Sequence, residues 1–82
     1  MNISFDVKRI DDSLEKRKYM PLLLLADEQQ SMIYRYLDSG TMYVMTNEKG
    51  DTVAQCVVAH DHGSKTAEIK SISVASEYQR RG

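Results

Sequence analysis

Thr66-Ala67-Glu68-Ile69-Lys70-Ser71-Ile72-Ser73-Val74, followed by Ala75-Ser76-Glu77-Tyr78-Gln79-Arg80-Arg81-Gly82, is the stretch on which the fold turns. The first nine residues read as a strand, but Ala67 and Ile69 share one parity while Ile72 and Val74 share the other. Strict alternation cannot put Ile69 and Ile72 on one face. Either a residue is inserted near Lys70-Ser71 as a bulge, or the strand is buried on both faces. A bulge adds an unpaired residue and splays the strand from its neighbour, which opens a gap that a ligand can enter. The bulge is the expectation taken forward. Beyond Val74 the chain enters a turn with two arginines and a glycine. Such a segment presents backbone N–H groups at a helix N-terminus, where orphan donors and the helix dipole favour a phosphate. The plain alternative is a charged chain end.

Upstream, Asp61-His62-Gly63-Ser64 turns the chain out of a strand over Thr52 to His60, and Glu48-Lys49-Gly50-Asp51 joins that strand to another over Thr41 to Asn47. Connections this short make a meander of adjacent antiparallel strands. Ahead of them, Asp12-Ser13-Leu14-Glu15 is an acidic capping box that starts a helix near Ser13. Pro21 predicts a break that leaves two short helical pieces. Asp27 and Gln30 repeat the capping logic, and Met32, Ile33, Tyr36 and Leu37 form the stripe of a further helix. Ser39-Gly40 ends it, with the glycine expected in the left-handed position. Ile3, Phe5 and Val7 alternate with polar residues, the pattern of a first strand with one buried face. The fold class is therefore α+β: a strand, a pair of short helices, then an antiparallel three-strand meander with a bulged last strand.

Eighty-two residues, 41% hydrophobic and 28% charged, describe one soluble domain over 1–82. A net charge of −1 argues against a dedicated nucleic-acid or anionic-membrane binder. The longest unbroken apolar run, Leu22 to Ala26, is far short of the roughly 20 residues that span a bilayer. The charged first ten residues do not form a signal peptide, so the expected location is cytoplasmic. One cysteine, Cys56, excludes an intramolecular disulfide and a multi-cysteine zinc site.

Gln79-Arg80-Arg81-Gly82 resembles the first four residues of Q/R-x-x-G-x-G/A, the acetyl-CoA motif of the GNAT N-acetyltransferase superfamily. It stands five residues after a strand ending in Val74, with Tyr78 before the glutamine, as is common in that family. The order of elements also resembles the N-terminal half of the GNAT fold, and the resemblance runs over essentially the whole chain. It implies acetyl transfer from acetyl-CoA, the one co-substrate, to a primary amine of unknown identity, with no metal. It implies that the pantetheine arm lies along Ile72, Ser73 and Val74, and that the pyrophosphate meets the N–H groups of Gln79, Arg80, Arg81 and Gly82. Glu68 lies eleven residues before Gln79, the spacing at which one branch of the family places its general base. A protonated amine must lose a proton before it attacks a thioester, which is work for a carboxylate. The competing reading of Glu68 is a strand residue paired with Lys70. The tyrosine that protonates the departing thiolate in many members has no counterpart here, and Tyr34, Tyr36 and Tyr43 are placed on the acceptor side or in the core.

The motif's final x-G/A pair is not present, so the domain is expected to be incomplete, lacking roughly 60–80 residues by ordinary domain size. The alternative function is accordingly a truncated, non-catalytic folding or dimerisation half. Such a chain is expected to associate with itself and to bind acetyl-CoA weakly, and a small regulatory domain with a coincidental tail is a third option. His60-Asp61-His62 offers three metal-ligating side chains, but consecutive strand positions point to opposite faces, no third partner is evident, and the reading is a polar turn. Cys56 is expected to be a small core hydrophobe in Ala54-Cys56-Val58.

Overall fold

In the computed structural model, which describes residues 5–61 and 63–78, the Asp12 carboxylate accepts a 2.9 Å hydrogen bond from the Glu15 N–H and starts the first helix at Ser13. The elements follow as β1 (Asp6–Ile10), α1 (Ser13–Arg17), α2 (Met20–Ala26), α3 (Gln30–Leu37), β2 (Thr41–Thr46), β3 (Thr52–Asp61) and β4 (Thr66–Val74), with a 3-10 turn over Ser76–Tyr78. The strands make one antiparallel sheet in the order β1-β2-β3-β4. Helices α2 and α3 pack on one face of it. No helix among the described residues is long and apolar enough to cross a membrane.

The helical break falls at Lys18-Tyr19, which lets Pro21 sit in the first turn of α2, where its missing N–H costs nothing. Asp27 does not cap α3. Its carboxylate accepts from the Gln29 N–H at 3.1 Å and shapes the turn, and α3 begins two residues later than the capping pattern implied. Gly40 is also needed for a reason other than the expected one. A Cβ there would lie 2.7 Å from Val57 Cγ1 and 2.8 Å from the Tyr36 carbonyl, so close approach of α3 to β3 demands the glycine. The left-handed glycine is Gly50, at φ 85° in the β2–β3 turn.

Ile10, Leu23, Ile33, Leu37, Met42, Val44 and Val57 form the core between helices and sheet. Each such side chain contributes about 1.5–3 kcal/mol by leaving water. One cation closes this layer. Lys16 is 3% exposed, and its ammonium donates to the carbonyls of Leu37 at 2.8 Å, Asp38 at 3.4 Å and Gly40 at 2.9 Å. It thereby satisfies the C-terminal end of α3, where orphan carbonyls and the helix dipole both favour positive charge.

The other face of the sheet corrects two sequence expectations. In β1 the buried residue is Ile10, while Phe5 and Val7 are exposed, Val7 by 65%. In β3 the covered set is Val53, Gln55 and Val57, and Ala54-Cys56-Val58 belong to the open face. Both runs are apolar on both parities or on the wrong one, so alternation alone could not say which side the helices cover.

Candidate functional site

The irregularity read in the last strand is present. Val57 pairs with Ser71 and Val58 with Ile69, so Lys70 is the extra residue of a bulge in β4. The insertion puts Ile69 and Ile72 on the same face, opposite Val58 and Cys56. That face is the open one, and the two isoleucines are 61% and 62% exposed rather than buried. Ser71 and Ser73 consequently point into the layer beneath the helices. Ser71 is 4% exposed, and the Ser73 hydroxyl donates to the Leu22 carbonyl in α2. Among the described residues β4 is an edge strand, with β3 on one side. An edge keeps half of its backbone groups pointing away from the sheet.

Glu68 stands opposite Ala59, N-terminal to the bulge. Its carboxylate is 3.2 Å from the Lys70 ammonium, and its side chain is 71% exposed. The ion pair weighed as the alternative reading is thus formed. An exposed pair of this kind contributes at most about 1 kcal/mol, which leaves the carboxylate free to change partners.

Past β4, the Ala75 N–H donates to the Val53 carbonyl at 2.8 Å and the chain enters the 3-10 turn. There the Tyr78 hydroxyl accepts from Asn47 Nδ2 at 3.0 Å. Asn47 Oδ1 in turn accepts from the N–H groups of Lys49 and Asp51, so one side chain joins the β2–β3 turn to the turn after β4. Tyr78 thus ties the turn after β4 to the β2–β3 turn. Gln79, Arg80, Arg81 and Gly82, the expected phosphate loop, lie outside the described residues, as does His62.

The remaining candidates scatter. Tyr34 accepts from Gln30 Nε2 at 2.9 Å and lies under the Arg17 guanidinium, 5.3 Å from the ring centroid. Tyr36 packs against the core, and Tyr43 is half-buried on the open face. Burial pushes the Cys56 thiol above its ordinary pKa, which works against a nucleophile. A hollow of about 210 Å³ lined by His60, Asp61, Lys65, Thr66 and Ala67 sits at the β3–β4 turn, at the far end of β4 from Val74. Among the described residues no three His, Cys, Asp or Glu side chains come together as a metal site.

Two arrangements escaped the sequence. One is the Lys16 ammonium at the end of α3, and the other is the Gln55 carboxamide under the helices. Only the register of β3 against β4 places Gln55 beside Ser71 and Ser73, at 2.8 and 3.0 Å.

This arrangement of strand, helices and bulged meander is that of the N-terminal half of the GNAT acetyltransferase fold. No protein-family model and no curated protein matches the chain. Solved structures do. By shape, 96% of the chain aligns with 49% of an IAA acetyltransferase from Bacillus cereus, at a TM-score of 0.79 and 31% identity. A GNAT family acetyltransferase from Elizabethkingia anophelis, solved with acetyl-CoA bound, aligns with 99% of the chain at a TM-score of 0.73 and 30% identity, over 49% of its own length. A Bacillus subtilis acetyltransferase in complex with CoA shares the fold at a TM-score of 0.73 and 22% identity, with the same coverage. The chain spans about half the length of these proteins, and it has the N-terminal half of the GNAT fold.

Proposed function

We propose that the chain supplies the acyl-donor half of a cytoplasmic N-acetyltransferase that moves an acetyl group from acetyl-CoA to a primary amine. The observation that carries this is the bulge at Lys70 in an edge strand, within a fold shared at 30% identity with an acetyltransferase holding acetyl-CoA. The amide-bearing pantetheine arm pairs with the backbone of Ile72, Ser73 and Val74 much as an added strand would. Gln79, Arg80, Arg81 and Gly82 take the pyrophosphate on their N–H groups, with glycine allowing close approach. Glu68 exchanges Lys70 for the incoming ammonium, takes its proton directly or through water, and leaves a neutral amine. The amine nitrogen then attacks the thioester carbonyl carbon, the oxygen charge is held by a strand N–H, and the C–S bond breaks. The coenzyme leaves as a thiolate that is protonated, and the amide product sheds its second proton.

The test is a titration of acetyl-CoA into the isotopically labelled chain, followed at backbone amides. Saturable shifts are expected at Ile72, Ser73 and Val74 and over 79–82, weak in affinity. A chain whose β4 amides do not respond at millimolar acetyl-CoA overturns the reading.

A second reading, an associating half without catalysis of its own, is favoured by the open sheet face. Ile69 and Ile72 on β4 and Val7 on β1 expose apolar surface there, and exposed apolar surface of this kind marks contact surfaces.

A further inference from the structure

The sheet face beneath the helices carries Met42, Val44, Val53 and Val57, and among them a carboxamide, Gln55, that is 2% exposed. Its Nε2 donates to Ser71 Oγ and Ser73 Oγ, while its Oε1 has no partner among the described residues. An apolar residue of the same size would fill the space without leaving an acceptor unpaired, so packing does not account for this side chain. Its two partners do. They flank Ile72, immediately after the bulge residue Lys70.

Among the described residues β4 has one neighbour and buries little of either face, so its register is weakly specified. Sliding the segment 71–74 by one residue would restore regular pairing with Val58 still opposite Ile69, and it would swap that segment's side chains between the two faces. In the slipped register Ile72 would meet the buried carboxamide, and both serines would leave it for the open face. Gln55 therefore distinguishes the two registers by chemistry: hydroxyls on its side, isoleucine and valine on the other. The Ser73 hydroxyl passes the hold on to the Leu22 carbonyl, so α2 is tied to the same three residues of the strand.

We propose that Gln55 is a positioning residue for the acyl donor. By gripping Ser71 and Ser73 it holds the end of β4 in the register that keeps the strand's backbone edge open to an amide-bearing thioester arm. This rests on the acetyl-CoA reading above. The donor is not touched by Gln55; the strand that meets it is.

The experiment compares the unaltered chain with Gln55→Leu by two measurements. Cross-strand contacts of Cys56 with Ile72 and of Ala54 with Val74 report the register without any ligand. Acetyl-CoA titration reports donor binding. Because Gln55→Leu alters a buried position, Ser71→Ala, which removes one grip and little volume, is run beside it. Expected in Gln55→Leu is a second set of cross-strand contacts from the slipped register, with acetyl-CoA binding weaker by about ten- to a hundredfold, as misplacement of a binding group by an ångström costs. Ser71→Ala gives the same change to a smaller extent. A merely structural role would lower stability without populating the second register. If both variants keep the single register and bind acetyl-CoA as the unaltered chain does, Gln55 has no positioning role. If the unaltered chain does not respond to acetyl-CoA, the acetyltransferase reading falls and takes the donor role of Gln55 with it, a result distinct from the first.

Discussion

The two faces of the sheet are made of alternate residues from the same four strands, yet they differ in what covers them. On one face Ile10, Met42, Val44, Val53 and Val57 lie beneath α2 and α3 and are at most 4% exposed. On the other, Val7, Ile69, Ile72 and Val74 are 38–65% exposed although they are as apolar and as β-branched. The difference teaches that strand propensity and strand burial are separate properties. Valine and isoleucine fit a pleated surface in either place, whereas burial needs a second layer. The bulge at Lys70 makes the contrast sharper, because it sends Ile69 and Ile72 together to the open side and turns Ser71 and Ser73 inward.

The comparison breaks most readily by truncating one residue on each side. Leu23→Ala, at a fully buried position of α2, is expected to destabilise the chain by about 2–5 kcal/mol through lost transfer energy and a residual cavity. Ile72→Ala on the open face is expected to change the stability of the monomer by no more than about 0.5 kcal/mol. If the open face meets a second copy, Ile72→Ala lowers the sedimentation coefficient at high concentration, and alkylation of Cys56 on the same face slows as the unaltered chain is concentrated. Equal denaturant midpoints for the two variants would erase the distinction between the faces.

Lys16 sharpens the covered side. Lys16→Met keeps the stem that crosses the core and removes the donor to three carbonyls. Losing this charge-assisted capping is expected to cost about 2–3 kcal/mol, read as a lower unfolding midpoint with unchanged slope. A neutral result would mean that water replaces the ammonium and that the end of α3 is not closed.

The smallest effect lies in the turn that enters the open strand. The Ser64 hydroxyl, with the Ser64 and Gly63 N–H groups, holds the Asp61 carboxyl below its ordinary pKa. A carboxylate with a lowered folded-state pKa stabilises above its unfolded value, and that contribution is lost as pH falls through the folded value. Asp61→Asn is therefore expected to lower the melting temperature slightly at neutral pH and to match the unaltered chain in acid. A difference that persists unchanged into acid would assign the effect to the turn's shape and not to the charge.

Much of this was legible in the residues. The Asp12 cap, the Pro21 break, the Gly50 turn and the bulge at Lys70 each follow from local chemistry: a carboxylate at a helix start, a missing N–H, a positive φ, a change of parity. The candidate site was legible in part. Glu68 and the backbone of Ile72, Ser73 and Val74 could be named from spacing and resemblance, and Glu68 meets Lys70 as the competing reading described. Lys16 and Gln55 were not legible, because what they bind lies 21 to 24 and 16 to 18 residues away. Nothing near either residue announces a partner at that distance.

What the sequence determined by itself is the local part: where helices start and break, where the chain turns, and where the last strand gains a residue. These are decided by dihedral preferences and by hydrogen bonds within a few positions. What only the tertiary structure decided is which face of each strand is covered, why Gly40 must lack a side chain, and which polar groups end up together under α2. A strand with apolar residues on both parities is compatible with a second layer on either side. The side is chosen when Leu23, Ile33 and Leu37 find Ile10, Met42, Val44 and Val57, and that contact exists only between segments far apart in the chain.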